Sequence, residues 1–112
     1  MTDTATEWLT IPDVVNILGV TPGKVHRLIE DRYLLATRID GVLRVPAVFL
    51  RDGEPLHELR GTIMLLVDAG YTDDEATTWL ITPEDSLGTA PIEALRAGRK
   101  AEVRRVAQAL AF

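Results

Sequence analysis

The spacing of apolar residues predicts two short helices joined by a tight turn near the start of the chain. The buried face of the first helix is predicted to consist of Val14, Val15, Ile17 and Leu18. Thr10 is predicted to cap this helix, with Pro12 in its opening turn and Asp13 completing a capping-box-like start. Gly19 is predicted to end it, because glycine tolerates the left-handed backbone that follows a helix.

The second helix is predicted to begin after Thr21, which can cap it. Its buried face is predicted to consist of Val25, Leu28 and Ile29. At ~100° per residue, Gly23 and Arg27 point away from that face, and Lys24 and His26 lie on its flanks. The outward face is therefore short, polar and basic.

Two β-prone runs follow, at residues 33–39 and 42–45, with Asp40-Gly41 between them. This dipeptide predicts a two-residue hairpin, because both central positions of a type I′ turn need positive φ. The hairpin would form a two-stranded wing beside the two helices. The predicted fold is thus a winged helix-turn-helix.

The hairpin register places two arginines on opposite faces of the wing. Arg38 would face Leu43, and Arg44 would face Thr37. One arginine can then reach a phosphate or the minor groove while the other braces the wing, and Arg38, nearer the tip, is favoured for DNA. A polar, basic helix beside such a wing can enter the major groove. The predicted DNA-binding set is Thr21, Gly23, Lys24, His26, Arg27, Arg38, Gly41 and Arg44.

The rest of the chain predicts one helical turn and a loop over residues 46–55, then a helical subdomain. Its helices are predicted at residues 59–69, 73–81, 91–97 and 100–111. Trp79 is expected to be the largest core side chain, and Leu87 is expected to turn inward from a loop. The three acids after Thr72 are interpreted as partners of the helix dipole rather than as a metal site.

The last helix carries cations on its exposed side: Arg99, Lys100, Arg104 and Arg105. The favoured interpretation is a solvated face paired with local acids such as Glu102. The alternative is a second basic surface that lengthens the contact with DNA.

The run from Leu9 to Pro46 resembles the excisionase and MerR-like winged helix-turn-helix pattern, in which Gly-Val-Thr opens the recognition helix and Arg-Val-Pro ends the wing. Nearly everything after Glu7 resembles a small actinobacterial family of DNA-binding proteins, with matching residues at 70–87 and 91–112. The resemblance implies DNA binding, with some members controlled by Ser/Thr phosphorylation of an N-terminal tail. One departure is that such families often carry glycine before the first wing strand, where this chain has Asp31-Arg32-Tyr33.

The predicted organisation is a flexible tail (1–7), a winged helix-turn-helix domain (8–52) and a helical C-terminal domain (56–112), mainly α overall. With 112 residues, the two halves are expected to share a core, because domains this small bury little surface alone. The chain has no cysteine, which excludes disulfides and thiolate chemistry. No apolar run reaches the ~20 residues of a membrane span, and no secretory signal precedes the helices, so a cytoplasmic, nucleoid-associated protein is expected.

A net charge of −5 argues against DNA binding at first sight. The charge is unevenly distributed, since six Lys and Arg residues balance six Asp and Glu residues up to Arg51. All of the excess of Asp and Glu over Lys and Arg lies after Arg51. The four candidate phosphate contacts predict a slope of roughly −3 to −4 in log K against log salt, so one copy would bind weakly.

No catalytic or cofactor motif is present: His26 and His57 lack a serine or carboxylate at motif spacing. An enzyme is therefore not expected. In the tail, Thr2, Thr4 and Thr6 are candidate phosphorylation sites for a Ser/Thr protein kinase, although an unstructured end is the simpler interpretation.

Two alternatives to a DNA-binding regulator remain open. In one, the C-terminal half, similar in its Trp, Leu and Pro pattern to the toxin-binding domain of some antitoxins, binds a protein partner. In the other, the helix-turn-helix serves protein contacts alone, because a fold does not dictate a function.

Overall fold

Six helices and two small antiparallel sheets form the part of the chain that the computed structural model describes, residues 6–111. The helices are α1 (Ile11–Leu18), α2 (Pro22–Glu30), α3 (Leu59–Asp68), α4 (Asp73–Ile81), α5 (Pro91–Arg96) and α6 (Lys100–Ala109). The strands are β1 (Trp8–Thr10), β2 (Thr37–Ile39), β3 (Val42–Pro46), β4 (Leu50–Arg51) and β5 (Glu54–Pro55), with a 3₁₀ turn at Ala47–Phe49. None of the helices in this region is long and apolar enough to cross a membrane.

Local capping fixes both helices of the helix-turn-helix, as the sequence predicted. The Thr10 hydroxyl accepts a hydrogen bond from the Asp13 backbone N–H at 3.3 Å, and the Asp13 carboxylate accepts one from the Thr10 N–H at 3.0 Å. Gly19 ends α1 with φ +68°. The Thr21 hydroxyl caps α2 by accepting from the Lys24 N–H at 3.1 Å.

The capping box makes the stability of α1 dependent on pH. Hydrogen bonds from the Thr10 backbone and hydroxyl, with a smaller contribution from Arg44, hold the pKa of the Asp13 carboxyl below its usual value. A lowered folded-state pKa stabilises the fold above the unfolded pKa of ~3.9, and this stability is lost as pH falls through the folded pKa. We therefore expect Asp13→Asn to lower the Tm at pH 7, but not below both pKa values, where the natural carboxyl is also neutral. Thermal melts of both chains between about pH 7 and 2 test this; an unchanged difference across that range would contradict it.

The wing has the predicted register, with Ile39 opposite Val42 across a turn at Asp40 and Gly41. Both turn residues have positive φ, +53° and +79°. The first strand of the wing, β2, is shorter than predicted: it begins at Thr37, whereas the sequence predicted a start at residue 33. Leu34 and Leu35 are consecutive and both fully buried, so this stretch does not alternate as a half-exposed strand must.

A third strand, β1, was not predicted. It pairs with β3, giving the order β1-β3-β2 and placing Thr10 opposite Arg44. The Glu7 carbonyl extends this pairing by accepting a hydrogen bond from the Ala47 N–H at 2.9 Å. The wing is thus anchored on both sides of its second strand.

The bend between α2 and the wing occurs at Arg32, which has φ +63°. Arg32 therefore adopts the left-handed conformation in the segment where related families often carry glycine. Its guanidinium lies 3.5 Å from the Asp73 carboxylate of α4, and its Nε is buried without a hydrogen-bond partner among the described residues. The chain keeps the bend at the cost of backbone strain.

This strain predicts an order of stability for two variants at position 32. Both Arg32→Gly and Arg32→Ala lose the contact with Asp73, but only glycine also relieves the left-handed backbone. We expect the glycine variant to exceed the alanine variant by about 1 kcal/mol in free energy of unfolding. Urea denaturation measures the difference, and an alanine variant of equal or greater stability would show that the backbone is not strained.

Residues 50–55 form a second hairpin, where a loop was predicted. β4 pairs with β5 across Asp52 and Gly53, which have φ +53° and +76°. This is the same dipeptide signal as in the wing, but flanked by strands of only two residues, which gave no β periodicity. The prediction of a loop was wrong for that reason, whereas the helical turn before it is confirmed as 3₁₀.

Contacts made by two arginines join residues 47–55, which link the winged helix-turn-helix to the helical half, to α5. The Arg96 side chain donates to the carbonyls of Val48 and Leu50 at 3.0 and 2.8 Å. Arg51 donates in return to the Arg96 carbonyl at 2.7 Å. Buried apolar residues from both halves form one cluster, from Leu9 to Ala107, so the expectation of a shared core is confirmed.

Two of the predicted core positions differ from the structure, and a third agrees with it. Trp79 is only half-buried, and Phe49 of the 3₁₀ turn is the largest fully buried side chain among the described residues. Ile17 is 45% exposed, although its spacing placed it on the buried face of α1. Leu87 does turn inward as predicted, at 5% exposure.

Candidate nucleic-acid interface

The outward face of α2 is exposed along its first two turns. The exposed residues include every predicted one: Thr21, Gly23, Lys24, His26 and Arg27. Val25 is fully buried and anchors the opposite face to the core. A Cβ built at Gly23 would meet only the Thr21 hydroxyl, at 3.9 Å, so no other described residue lies against the backbone at this position.

The cations beside this surface form no ion pair with an acid in the part of the chain that the structure describes. Within residues 6–111, the ion pairs are Arg32 with Asp73 and Arg99 with Glu102. Lys24, Arg27 and Arg38 therefore have no carboxylate partner among these residues and can exchange counterions for phosphates. The predicted basic face survives in the folded molecule.

The tip of the wing is held by Arg38. Its Nη1 donates to the Gly41 carbonyl at 3.2 Å, and both residues remain exposed. The guanidinium has further N–H groups for a phosphate or a base edge. Arg38 and Gly41 thus lie where a contact with DNA was predicted.

Arg44 is less exposed than Arg38, as expected from its position on the opposite face of the wing. It lies in the central strand β3, half-buried, between Thr10 on β1 and Thr37 on β2. Its charge helps to lower the pKa of the Asp13 carboxyl. Arg44 therefore occupies the bracing position, and its place in the predicted DNA-binding set stays a prediction.

Two residues that the sequence did not indicate, Tyr33 and Arg60, lie at the C-terminal end of α2 in the structure. The Arg60 guanidinium lies 4.9 Å from the centre of the Tyr33 ring, and its Nε donates to the Asp31 carbonyl at 2.9 Å. This places a cation at the negative end of the α2 dipole. No local pattern could have indicated it, because α3 and α2 are distant in sequence.

The four cations of the last helix have two different environments. Arg99 is half-buried and donates to both carboxylate oxygens of Glu102 at 2.9 Å and to the Leu87 carbonyl at 3.1 Å. The pairing with a local acid is confirmed for this residue. Lys100, Arg104 and Arg105 are exposed and form no ion pair with a described residue.

Comparison with known proteins gives two matches to protein-family models. Residues 1–50 match the model described as "DNA-binding protein Rv2175c, wHTH domain", and residues 56–111 match the "Rv2175c C-terminal domain of unknown function". The chain belongs to the Rv2175c family. The suspected resemblance to an actinobacterial family with these two parts is confirmed.

Relatives of this family agree with the assignment. The chain is 35% identical to "DNA-binding protein Rv2175c" of Mycobacterium tuberculosis over 115 aligned positions, covering 91% of this chain and 79% of that protein. It is 44% identical over 52 residues to an excisionase of Streptomyces ambofaciens, covering 46% of this chain and 84% of the excisionase. The second match has the length of one winged helix-turn-helix domain.

A solved structure confirms the fold. The NMR structure of Rv2175c superposes with a TM-score of 0.87 at 33% identity, covering all of this chain and 86% of that one. The predicted architecture, a winged helix-turn-helix followed by a helical part, is therefore that of the family.

Proposed function

We propose that the protein binds double-stranded DNA as a transcriptional regulator or nucleoid-associated factor. The first two turns of α2 enter the major groove, and Arg38 and Gly41 at the wing contact the backbone or the minor groove. The observation that carries the proposal is the exposed, polar face of α2, whose cations form no ion pair within residues 6–111, in a chain whose overall charge is −5.

Two further observations support this role. The two relatives carry the printed descriptions DNA-binding protein, matched over 91% of this chain, and excisionase, matched over 46% of it. The acidic excess of the chain begins only after Arg51, in the part that forms the helical bundle. Repulsion between that half and the phosphates is reduced by distance and by salt screening.

The experiment is a fluorescence-anisotropy titration with a duplex of about 15 base pairs at several salt concentrations. We expect binding whose log K falls with log salt at a slope of roughly −3 to −4, set by Lys24, Arg27, Arg38 and Arg44. Absence of binding at low salt, or a slope near zero, would contradict the proposal. Selection from random duplexes then separates the two roles, since a regulator enriches a motif and a nucleoid factor does not.

Phosphorylation of the tail stays a prediction. Thr2 and Thr4 lie outside the described residues, whereas Thr6 is half-buried two positions before β1. A phosphate adds nearly two negative charges and would oppose binding to a polyanion. Catalysis is not proposed, and the kinase remains a predicted partner.

A further inference from the structure

The C-terminal bundle carries different surfaces on its opposite sides. α3 and α5 each pack against both α4 and α6, so the four helices form a ring with α4 and α6 diagonally across from each other. The exposed faces of α4 and α6 therefore point in different directions. They can meet only if they belong to different molecules.

The exposed face of α4 forms an aromatic groove with acidic groups, which we term the α4 groove. It has a volume of about 500 Å³ and is lined by Tyr71, Asp74, Glu75, Thr78, Trp79 and Thr82. Both aromatic residues are half-buried, so part of each ring remains accessible. Residues 61–95 contain seven Asp and Glu residues and no Lys, Arg or His, so this segment has a strongly negative field.

The exposed face of α6 has the complementary charge. Lys100, Arg104 and Arg105 are exposed and form no ion pair in the part of the chain that the structure describes, although the Arg104 guanidinium lies over Gly61 of α3. A guanidinium suits the α4 groove in particular, because it can stack on an aromatic ring and pair with a carboxylate at once. The same chain thus carries both a groove for cations and a helix that presents them.

The position of the wing orients these surfaces with respect to DNA. The Thr37 hydroxyl at the base of the wing donates to the Asp74 carboxylate at 2.6 Å, so α4 is on the wing side of the bundle. α6 lies diagonally across from it. A copy bound to DNA through α2 and the wing therefore carries the α4 groove on the wing side of its bundle and the α6 face on the side away from the wing.

We propose that the α4 groove binds the α6 face of a second copy of this chain at the adjacent site on DNA. The contact is heterologous, so it repeats along the duplex and forms rows instead of closing into a dimer. This inference rests on the proposed function, because DNA aligns the copies and raises their local concentration. The contact between copies would add to the weak DNA affinity that each copy has from its few phosphate contacts.

The test compares binding to a duplex of about 15 base pairs, for one copy, with binding to one of about 60, for several. The natural chain is expected to bind the long duplex roughly five- to tenfold more tightly per site, with a Hill coefficient above one. Thr78→Lys places a cation in the groove at an exposed position, and Lys100→Glu with Arg105→Glu reverses the α6 face. Each change should abolish the gain on the long duplex while changing short-duplex affinity by less than about twofold.

The variant with all three substitutions is the decisive one. It sets the lysine introduced at position 78 against the glutamates introduced at positions 100 and 105, and we expect it to regain part of the cooperativity that both partial variants lose. Equal affinity of the natural chain for both duplexes overturns the proposal, and so does failure of the triple variant to recover. Loss of short-duplex binding in the α6 variant would show that α6 contacts DNA itself, which also overturns it. Absence of short-duplex binding by the natural chain would contradict the proposed function instead.

Discussion

Replacing both Lys24 and Arg27 by alanine is expected to weaken binding to a short duplex at least about 30-fold in Kd, or about 2 kcal/mol. Both side chains are exposed on the outward face of α2 and lack an ion-pair partner among the described residues. The truncation would therefore remove the proposed contacts with DNA without exposing a buried group. The slope of log K against log salt should become shallower by roughly 1 to 2.

The matched control removes two cations from the other half of the molecule. Lys100→Ala with Arg105→Ala changes the net charge equally but leaves α2 intact, so its affinity for the short duplex should stay within about twofold of the natural chain. Equal losses in the two double variants would mean that net charge, not the α2 face, governs binding. Unchanged melting temperatures would confirm that both variants are folded.

Truncation of Phe49 to alanine is expected to have the largest effect on stability, about 3 to 5 kcal/mol in the free energy of unfolding. Phe49 is fully buried in the 3₁₀ turn that joins the winged helix-turn-helix to the helical bundle. Loss of the phenyl ring opens a cavity in the shared core. The expected loss of stability is a large fraction of the ~5–15 kcal/mol by which a typical domain is stable. Urea denaturation measures it, with Ile17→Ala as the exposed control expected within about 0.5 kcal/mol.

The shared core also predicts how the destabilised chain unfolds. Trp8 lies on β1 and Trp79 on α4, so one tryptophan reports on each half. The single-tryptophan chains Trp8→Phe and Trp79→Phe each follow the unfolding of one half. We expect the two chains to give the same urea midpoint as each other, both with Phe49 present and with Phe49→Ala, once the effect of each tryptophan substitution on stability has been subtracted. Midpoints that separate would show that the halves unfold independently, contrary to one continuous core.

Features set by a few neighbouring residues were predictable. The capping box of Thr10 and Asp13, the end of α1 at Gly19 and the wing turn at Asp40-Gly41 each depend on a local backbone requirement that these residue types meet. The exposed face of α2 also followed from helical spacing once Val25 was assigned to the core. These elements account for most of the candidate DNA-binding surface.

Features that depend on distant partners were not predictable. β1 is a strand only because β3 offers it a hydrogen-bonding edge, and Arg60 reaches the end of α2 only because α3 packs beside it. Trp79 remains half-exposed because the helices around α4 leave a groove there. Helical spacing identified apolar faces, but it could not say how much of each face the neighbours would cover.

The sequence by itself determined the order of the winged helix-turn-helix elements, the turn types and the cations at the start of α2, because these follow from short-range sterics and hydrogen bonding. Only the tertiary structure decided that Arg32 adopts a left-handed backbone, that Phe49 occupies the shared core and that α4 and α6 face apart. Those outcomes depend on which distant surfaces pack together. Such packing is selected by the burial of the whole core and is not encoded in any single segment.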